Sequence, residues 1–409
     1  MALAFALGGC GGAPPAGAQA PNSEAKAGEA PSKTGFDFDA TYAREASGLS
    51  EHAVQGPEAA WSAKVPASAA PKLSHAQNSE LIEIPIGSKS VVRCQLFSEM
   101  LDAGGTLHSV LKESAARVDY RGVAPSGVSL IGGVPAVFLE TLYLTDTAGG
   151  KGAGGLKLAI QVREQESLLC VHDELGYRKT FKDVSGAFFA SFALKSAHPN
   201  VATYTEESKA KLGETDVGFS RTRVVPGEKP GEREYNNSNT TLIPTSEKDV
   251  VFEDSYQIYS YDAKNALTSG AWVESRAGEI TLKVGVKRAA NGKYAYQGEV
   301  KGKPLSGVLK APNGIATSLD IAARLKKKLK AGGPFELVLS EYHPAIEPNA
   351  LIDVTYRHQK GDPARQVVMS MSGITVTSEV DDDGVPKTAW TQVGKQRLSF
   401  ERLKSEGHL

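Results

Sequence analysis

Short runs in which apolar and polar residues alternate recur along most of this chain, and they limit what it can fold into. The segments 156–162 and 280–286 show the pattern most clearly, with nearly every second residue apolar. Because successive side chains of a strand point to opposite faces, such alternation predicts strands with one buried face. The sequence therefore predicts antiparallel sheets that carry a few packed helices, which is an α+β fold.

The first folded unit is expected at 78–197. Strands are predicted at 81–86, 90–97, 128–131, 137–143, 156–162 and 167–172. Thr106 is a suitable N-cap for a helix that presents Leu107, Val110 and Leu111 on one face. Thr180 is predicted to cap a last helix with an apolar face of Phe181, Val184, Phe188 and Phe192. This order of elements resembles the PsbP-like α+β sandwich, which implies a binding or accessory role more often than an enzyme and assigns no functional residue.

The second folded unit is expected at 250–405. Asn291-Gly292 between alternating runs predicts a hairpin, and Asp383-Gly384 predicts a later turn. Between them Ser318 and Asp320 open a helix that ends at Gly332-Gly333. Further strands are predicted at 335–339, 351–356, 365–370, 374–380 and 391–400. The unit is therefore predicted to be one curved antiparallel sheet interrupted by a helical crossover.

Strands, a helical insertion and more strands resemble the half-open barrels of the periplasmic lipoprotein carriers of the Lol type. The resemblance implies a sheet that wraps a concave apolar cavity holding acyl chains. The alternative is a closed sandwich with an ordinary core.

The two units are expected to be joined by a polar connector at 198–249. Its centre, 226–241, is rich in Pro, Gly, Glu and Asn. It contains two Asn-x-Ser/Thr sequons, at Asn236 and Asn239, which we interpret as turn-forming polar residues.

The segment 11–77 is rich in Ala, Pro, Gly, Ser and Glu, and it shows no sustained periodicity. Such a composition buries too little apolar surface to offset the entropy of ordering, so a disordered tether is predicted. Its main apolar points are Phe36-Asp37-Phe38 and Trp61, which could dock on the folded body or on a partner.

The segment 1–10 is signal-like and ends in Leu7-Gly8-Gly9-Cys10, a cysteine behind small residues and a short apolar run. This arrangement resembles the lipobox of bacterial lipoproteins. The resemblance implies lipidation of Cys10, cleavage before it, and a protein moored in the bacterial envelope, at the periplasmic face of the outer membrane. A signal peptide normally begins with a positively charged region, but no Lys or Arg precedes Cys10. The true start could therefore lie upstream, or Cys10 could be a stray cysteine in a flexible terminus.

Charge and hydropathy restrict the partners. Lys and Arg number 46 and Asp and Glu number 47, so no basic excess favours nucleic acid. No apolar run reaches the ~20 residues that span a bilayer, so the predicted membrane contact is through the lipid.

The other two cysteines, Cys94 and Cys170, both fall on predicted strands of the first unit. In an oxidising compartment they are candidates for a disulfide, provided that their Cα atoms lie within ~7 Å. Two separate buried thiols are the alternative.

Four motifs contain residue types that could support chemistry. Gly150–Gly155 matches G-x-G-x-x-G but lies between two predicted strands, so it is interpreted as a hairpin loop without a phosphate site. The run 381–384 lacks the ligand spacing of an EF-hand and predicts a solvated turn. His172-Asp173-Glu174 is predicted to be a strand end, because neighbouring strand residues diverge. The basic run 324–330 is predicted to be the wet face of a helix, with contact to anionic headgroups as the alternative.

The sequence thus assigns no catalytic, cofactor-binding or metal-binding residue. It predicts a membrane-anchored envelope lipoprotein that binds an apolar ligand or an envelope protein. An enzyme, a hydrolase or transferase with a dispersed site, is the alternative, and a pure interaction module is a third possibility. A deep apolar pocket in the second unit would favour ligand binding.

Overall fold

Antiparallel sheets make up most of this computed structural model, which describes residues 38–76, 79–115, 118–147, 150–195 and 202–409. These residues form twenty-four strands and four α-helices, arranged in three sheets. The antiparallel architecture is as predicted. The α+β class is correct only in part, because the fold is predominantly β and its helices are few.

A small sheet lies inside the segment that was predicted to be a tether. Its strands are β1 (Ser50–Gln55), β2 (Trp61–Ala67) and β10 (Ala193–Leu194), and helix α1 (Phe38–Tyr42) precedes it. The prediction of disorder is therefore wrong for the described part of 11–77. Trp61 and Val65 are buried in the first unit's core, and Trp61 stacks on Phe192 at 5.7 Å. Packing against that core offsets the entropy that the composition alone does not offset.

A seven-stranded sheet forms the body of the first unit, in the order β3-β4-β5-β9-β8-β7-β6. The strands are β3 (Lys72–Ala76), β4 (Ser79–Pro85), β5 (Val91–Phe97), β6 (Asp119–Ile131), β7 (Val134–Thr147), β8 (Gly150–Val162) and β9 (Ser167–His172).

Two helices accompany this sheet. Helix α2 (Ala103–Ala115) begins three residues before Thr106, so Thr106 is not its N-cap. Helix α3 (Arg178–Ser191) buries Phe181, Val184 and Phe188 in the core, as its apolar spacing predicts. It begins two residues before Thr180, so the prediction that Thr180 caps it is wrong.

A fourteen-stranded antiparallel sheet forms the second unit, in the order β18-β17-β16-β15-β14-β13-β12-β11-β24-β23-β22-β21-β20-β19. The strands are β11 (Tyr204–Leu212), β12 (Thr215–Pro226), β13 (Arg233–Ser246), β14 (Asp249–Tyr261), β15 (Leu267–Arg276), β16 (Glu279–Arg288), β17 (Tyr294–Val300), β18 (Lys303–Leu309), β19 (Phe335–Glu341), β20 (Ile352–His358), β21 (Gln366–Met371), β22 (Ile374–Val380), β23 (Pro386–Val393) and β24 (Gln396–Gly407).

The prediction of a polar connector at 198–249 is wrong, because three strands of this sheet lie there. β11, β12 and β13 occupy most of 198–249 and lie in the middle of the sheet. Both sequon asparagines lie within β13, and Asn239 is buried. The polar composition of this segment concealed the strands because their buried face is itself polar, with side chains that are hydrogen-bonded to one another.

The helical crossover lies where the sequence predicts it. The chain leaves one edge strand, β18, passes through helix α4 (Ser318–Ala331), and enters the other edge strand, β19. Ile321 and Leu325 pack with the core of β19–β24, whereas Leu319 packs with the core of the other half. Helix α4 therefore bridges the two halves of the sheet. The predicted strand 391–400 is wrong, because Gly394 lies in a turn that divides it between β23 and β24.

The two units pack against each other through a shared apolar core. Leu107 of α2 and Leu158 of β8 join Phe219, Leu242 and Phe252 of the large sheet in one buried cluster. No helix among the described residues is long and apolar enough to cross a membrane.

Candidate functional site

A partly open cavity lies between helix α4 and the concave face of the large sheet, with a free volume of about 80 Å³. One wall is apolar and comes from β21–β24, and the helix covers it with Ile321, Ala322 and Leu325. The apolar wall consists of Val367, Met369, Val376, Val380, Ala389 and Phe400. A volume of this size holds a few water molecules but no long acyl chain, so a larger ligand requires α4 to move outward.

The opposite wall is polar and comes from β11–β13. Asn237 lies at its centre and donates from Nδ2 to Thr222 Oγ1 at 2.9 Å and to Ser220 Oγ at 3.2 Å. Asn239 donates in turn to Asn237 Oδ1 at 2.8 Å. These buried groups fix one another, so the wall presents a preorganised polar surface opposite the apolar one.

A charged group closes the end of the cavity next to the turn between β22 and β23. Arg402 binds Glu206 at 3.0 Å and Asp381 at 2.6 Å, and Tyr204 donates to Glu206 at 2.6 Å. Burial alone would lower the pKa of Arg402, but the facing carboxylates of Glu206 and Asp381 hold it above its usual value. This end of the cavity is therefore held by a nearly buried ion network.

Helix α4 is seated by a small number of polar contacts. Thr317 and Asp320 form a capping box at its start. On its outer face Lys326 pairs with Asp383 at 2.7 Å. Gly384 has φ of +78°, and a Cβ there would lie 2.3 Å from the Ala322 carbonyl oxygen. Glycine is thus required where the turn after β22 meets the helix.

A second, smaller space of about 20 Å³ continues from the cavity toward the interior. The two spaces share the walls formed by Tyr235, Asn237, Ser318 and Met369. We call the smaller space the deep end.

A buried carboxylate lines the deep end. Tyr356 donates to Glu341 Oε1 at 2.7 Å, and His343 Nε2 lies 3.1 Å from Glu341 Oε2. Each carboxylate oxygen thus has a partner. Burial and the Glu341 carboxylate raise the pKa of Tyr356 well above its usual value, so Tyr356 remains a proton donor in this bond.

A larger groove of about 670 Å³ opens at the junction of the two units. It is open to solvent, and its wall includes the Arg178–Glu140 ion pair at 2.7 Å. Among the described residues, no buried polar atom without a partner lines this groove. Two such atoms, Gln257 Nε2 and Trp272 Nε1, belong to residues that line the deep end. The cavity under α4 together with the deep end is therefore the better candidate for a specific ligand.

The structure brings the two predicted disulfide partners together. Cys94 and Cys170 are register partners in β5 and β9, with sulfurs 2.02 Å apart and both side chains fully buried. Their pair lies in the first unit's core, away from the cavity. Cys10, the predicted lipidation site, lies outside the described residues.

The structure also places the other sequence motifs. His172 is buried beside Ser90, and burial lowers its pKa to about 3. Asp173 points elsewhere, 3.6 Å from Arg93. The predicted loop at Gly150–Gly155 is wrong, because these residues already belong to β8 and pair with β7.

The acidic turn 381–384 and the basic run 324–330 meet through the Lys326–Asp383 pair. The turn forms as predicted, with Gly384 N donating to Asp381 O, but Asp381 is bound to Arg402 rather than solvated. The cations of the basic run lie on the exposed face of α4. In the described part of the chain, no group of three or more His, Cys, Asp or Glu side chains could hold a metal ion.

The sequence missed the polar wall and the deep end. Asn237, Asn239 and Gln257 occupy inward positions of β13 and β14 that an ordinary core would fill with apolar residues. A signal was present, since Tyr235, Asn237 and Asn239 alternate with period two. The neighbouring glycines, prolines and charges, which are typical of a connector, obscure this period.

Comparison with known proteins adds little. No protein-family model and no curated protein match this chain. Among solved structures, a β-barrel-like protein of domain of unknown function DUF1849 from Brucella abortus is 14% identical. The match covers 50% of this chain and 98% of that one, with a TM-score of 0.34.

Two further structures match more weakly. A protein from Bacteroides thetaiotaomicron is 16% identical, over 39% of this chain and 52% of that one, with a TM-score of 0.24. A DUF1089 family protein from Pseudomonas aeruginosa is 14% identical, over 48% and 92%, with a TM-score of 0.21. At these TM-scores the likenesses identify neither a shared family nor a function.

Proposed function

We propose that this chain is a lipid-anchored protein of a bacterial envelope that binds a small apolar or amphiphilic ligand beneath helix α4. The observation that carries the ligand site is the cavity between α4 and the concave sheet, which has one apolar wall and one polar wall. An apolar ligand gains from burial against the wall of β21–β24, and the polar wall limits how it is oriented.

The way α4 is attached supports a role as a movable cover. The helix connects the two edge strands, β18 and β19, and its inner face consists of a few apolar side chains. The ion pair Lys326–Asp383 is exposed on its outer face, where such pairs contribute little stability. Outward movement of α4 would enlarge the cavity without breaking the hydrogen bonds of the sheet.

A pair of variants on α4 tests the site. Ala322 faces the cavity, whereas its neighbour Ala323 is exposed. We expect Ala322→Phe to fill the cavity and weaken binding of the uncharged fluorophore N-phenylnaphthylamine at least about tenfold. Ala323→Phe, the matched control, should bind as the natural protein does. Circular dichroism and thermal unfolding serve to check that both variants fold.

Two outcomes would overturn the ligand site. One is the absence of saturable fluorophore binding by the natural protein. The other is a folded Ala322→Phe variant that binds the fluorophore with unchanged affinity, because the fluorophore would then occupy some other surface.

The anchor is supported by Leu7-Gly8-Gly9-Cys10 and is tested separately. Mass spectrometry of the protein from bacterial membranes should find an acylated N-terminal Cys10. Cys10→Ser should move the protein to the soluble fraction, whereas the control Gly12→Ser should stay with the membrane. Retention of Cys10→Ser in the membrane fraction would contradict the anchor and leave the ligand site untouched.

A further inference from the structure

A buried amide at the deep end has a donor that no other group uses. Gln257 is 4% exposed, and its Oε1 accepts a hydrogen bond from the Tyr259 hydroxyl at 2.9 Å. Its Nε2 atom is buried and has no hydrogen-bond partner among the described residues. Because a buried donor without a partner is costly, it marks a position where an acceptor atom is wanted.

The register of the sheet orients this amide toward the deep end. Gln257 and Tyr259 are two residues apart on β14, so both side chains lie on the concave face. Trp272 is the register partner of Gln257 on β15 and packs edge-on against Tyr259 at 5.3 Å and Tyr342 at 5.1 Å. These packed rings form rigid walls around the amide.

The size of the deep end restricts what can enter it. A volume of about 20 Å³ accommodates roughly one oxygen atom and excludes a phosphate or a trimethylammonium group. The Glu341 carboxylate lines the same space, which disfavours an anionic group. An ammonium group offers donors only and cannot accept from Gln257 Nε2.

We infer that the ligand is a neutral amphiphile with a single terminal oxygen, such as a primary alcohol, whose oxygen accepts a hydrogen bond from Gln257 Nε2. Its apolar tail lies in the cavity under α4. This inference rests on the proposed ligand site and specifies the chemical class that the site takes.

Three ligands with the same ten-carbon tail test the inference. Decanol, decanoate and decylamine are titrated as competitors of N-phenylnaphthylamine. We expect decanol to compete about tenfold better than decanoate or decylamine, which is the discrimination that one buried hydrogen bond and one charge supply.

Gln257→Met removes the donor and keeps the approximate shape of the side chain. We expect it to weaken decanol binding about tenfold and N-phenylnaphthylamine binding much less, because the fluorophore has no terminal oxygen to accept from Gln257 Nε2. Gln297→Met, at an exposed position of β17, is the matched control and should change neither. A purely structural role of Gln257 would lower thermal stability without altering the order of the three ligands.

The outcomes separate the two proposals. Absence of any fluorophore binding contradicts the ligand site itself. Fluorophore binding with equal competition by all three ligands, or with decanol binding unaffected in Gln257→Met, overturns the assignment of the terminal oxygen. The latter result would mean that a water molecule alone occupies the deep end.

Discussion

Asp254 on β14 accepts two backbone hydrogen bonds from the start of helix α2 in the other unit. Gly104 N lies 3.0 Å from Oδ1, and Gly105 N lies 3.0 Å from Oδ2. Such bonds satisfy two of the four free N–H groups at the beginning of a helix. The contact also requires glycine, since a Cβ at position 104 would lie 2.7 Å from Asp254 Oδ2. Asp254 therefore ties the two units together.

Removal of this carboxylate should loosen the junction. Asp254 is 2% exposed, and it also accepts from Thr240 at 2.6 Å. We expect Asp254→Ala to lower the free energy of unfolding by about 2–3 kcal/mol, because three buried donors lose their partner. Urea denaturation measures the change. Asp249→Asn, an exposed site on the same strand, should stay within about 0.5 kcal/mol.

The same carboxyl predicts a pH dependence. Burial and the Asp102 carboxylate raise the pKa of Asp254 to about 6. An acid with a raised folded-state pKa adds stability that is complete below its unfolded pKa and is lost as pH rises through about 6. The stability advantage of the natural protein over Asp254→Asn should therefore shrink between about pH 4 and about pH 6, the interval between the unfolded and the folded pKa. Parallel stability curves for the two proteins would show that Asp254 does not titrate in this range.

His172 predicts the opposite pH dependence. Burial, with smaller contributions from Lys157, Arg44 and Arg93, lowers its pKa to about 3. A base with a depressed folded-state pKa loses its stabilising contribution as pH falls below the unfolded value. At about pH 5 this loss is expected to be about 1–2 kcal/mol, and His172→Gln should remove it. His75→Gln on β3, an exposed control, should unfold with the pH profile of the natural protein.

The pairing of Cys94 with Cys170 should contribute to the stability of the first unit. The two residues are 76 positions apart, and a bond across so long a loop is expected to contribute about 2–4 kcal/mol. Urea unfolding of C94A/C170A measures that loss. Mass spectrometry after alkylation in denaturant should find Cys94 and Cys170 unalkylated unless a reductant is added first. Two alkylated cysteines without reductant would mean that the pair is reduced in the isolated protein.

The ion pair between Lys326 and Asp383 should affect ligand exchange more than stability. Lys326→Ala removes the outer contact of α4, so we expect both association and dissociation rates of N-phenylnaphthylamine to rise about twofold to fivefold. Stability should change by less than about 1 kcal/mol. Stopped-flow fluorescence measures the rates, with Lys327→Ala as the control on the same helix. Unchanged rates would argue against α4 as the moving element.

The sequence predicted the apolar strands well. The strands predicted at 280–286 and 156–162 lie within β16 and β8, and the helix predicted to open at Ser318 forms the expected crossover. These elements carry their own signal, because each has an apolar face that repeats with the period of its structure.

The polar strands and the first small sheet could not be read in the same way. β13 buries Asn237 and Asn239, and only the hydrogen bonds of neighbouring strands make that burial tolerable. Trp61 lies in a segment of low hydrophobicity. It is buried by contacts with α3 and with Phe192, which are far from it in the sequence. Such tertiary partners are invisible in local composition.

The central claim is tested most directly by a structure of the protein with a bromodecanol that carries its bromine on the carbon farthest from the hydroxyl group. The anomalous signal of bromine should lie in the cavity, against Val376, Val380 and Phe400, with the hydroxyl oxygen within hydrogen-bond distance of Gln257 Nε2 and α4 displaced outward. Bromine in the groove between the two units, with the space under α4 unchanged, would contradict the account.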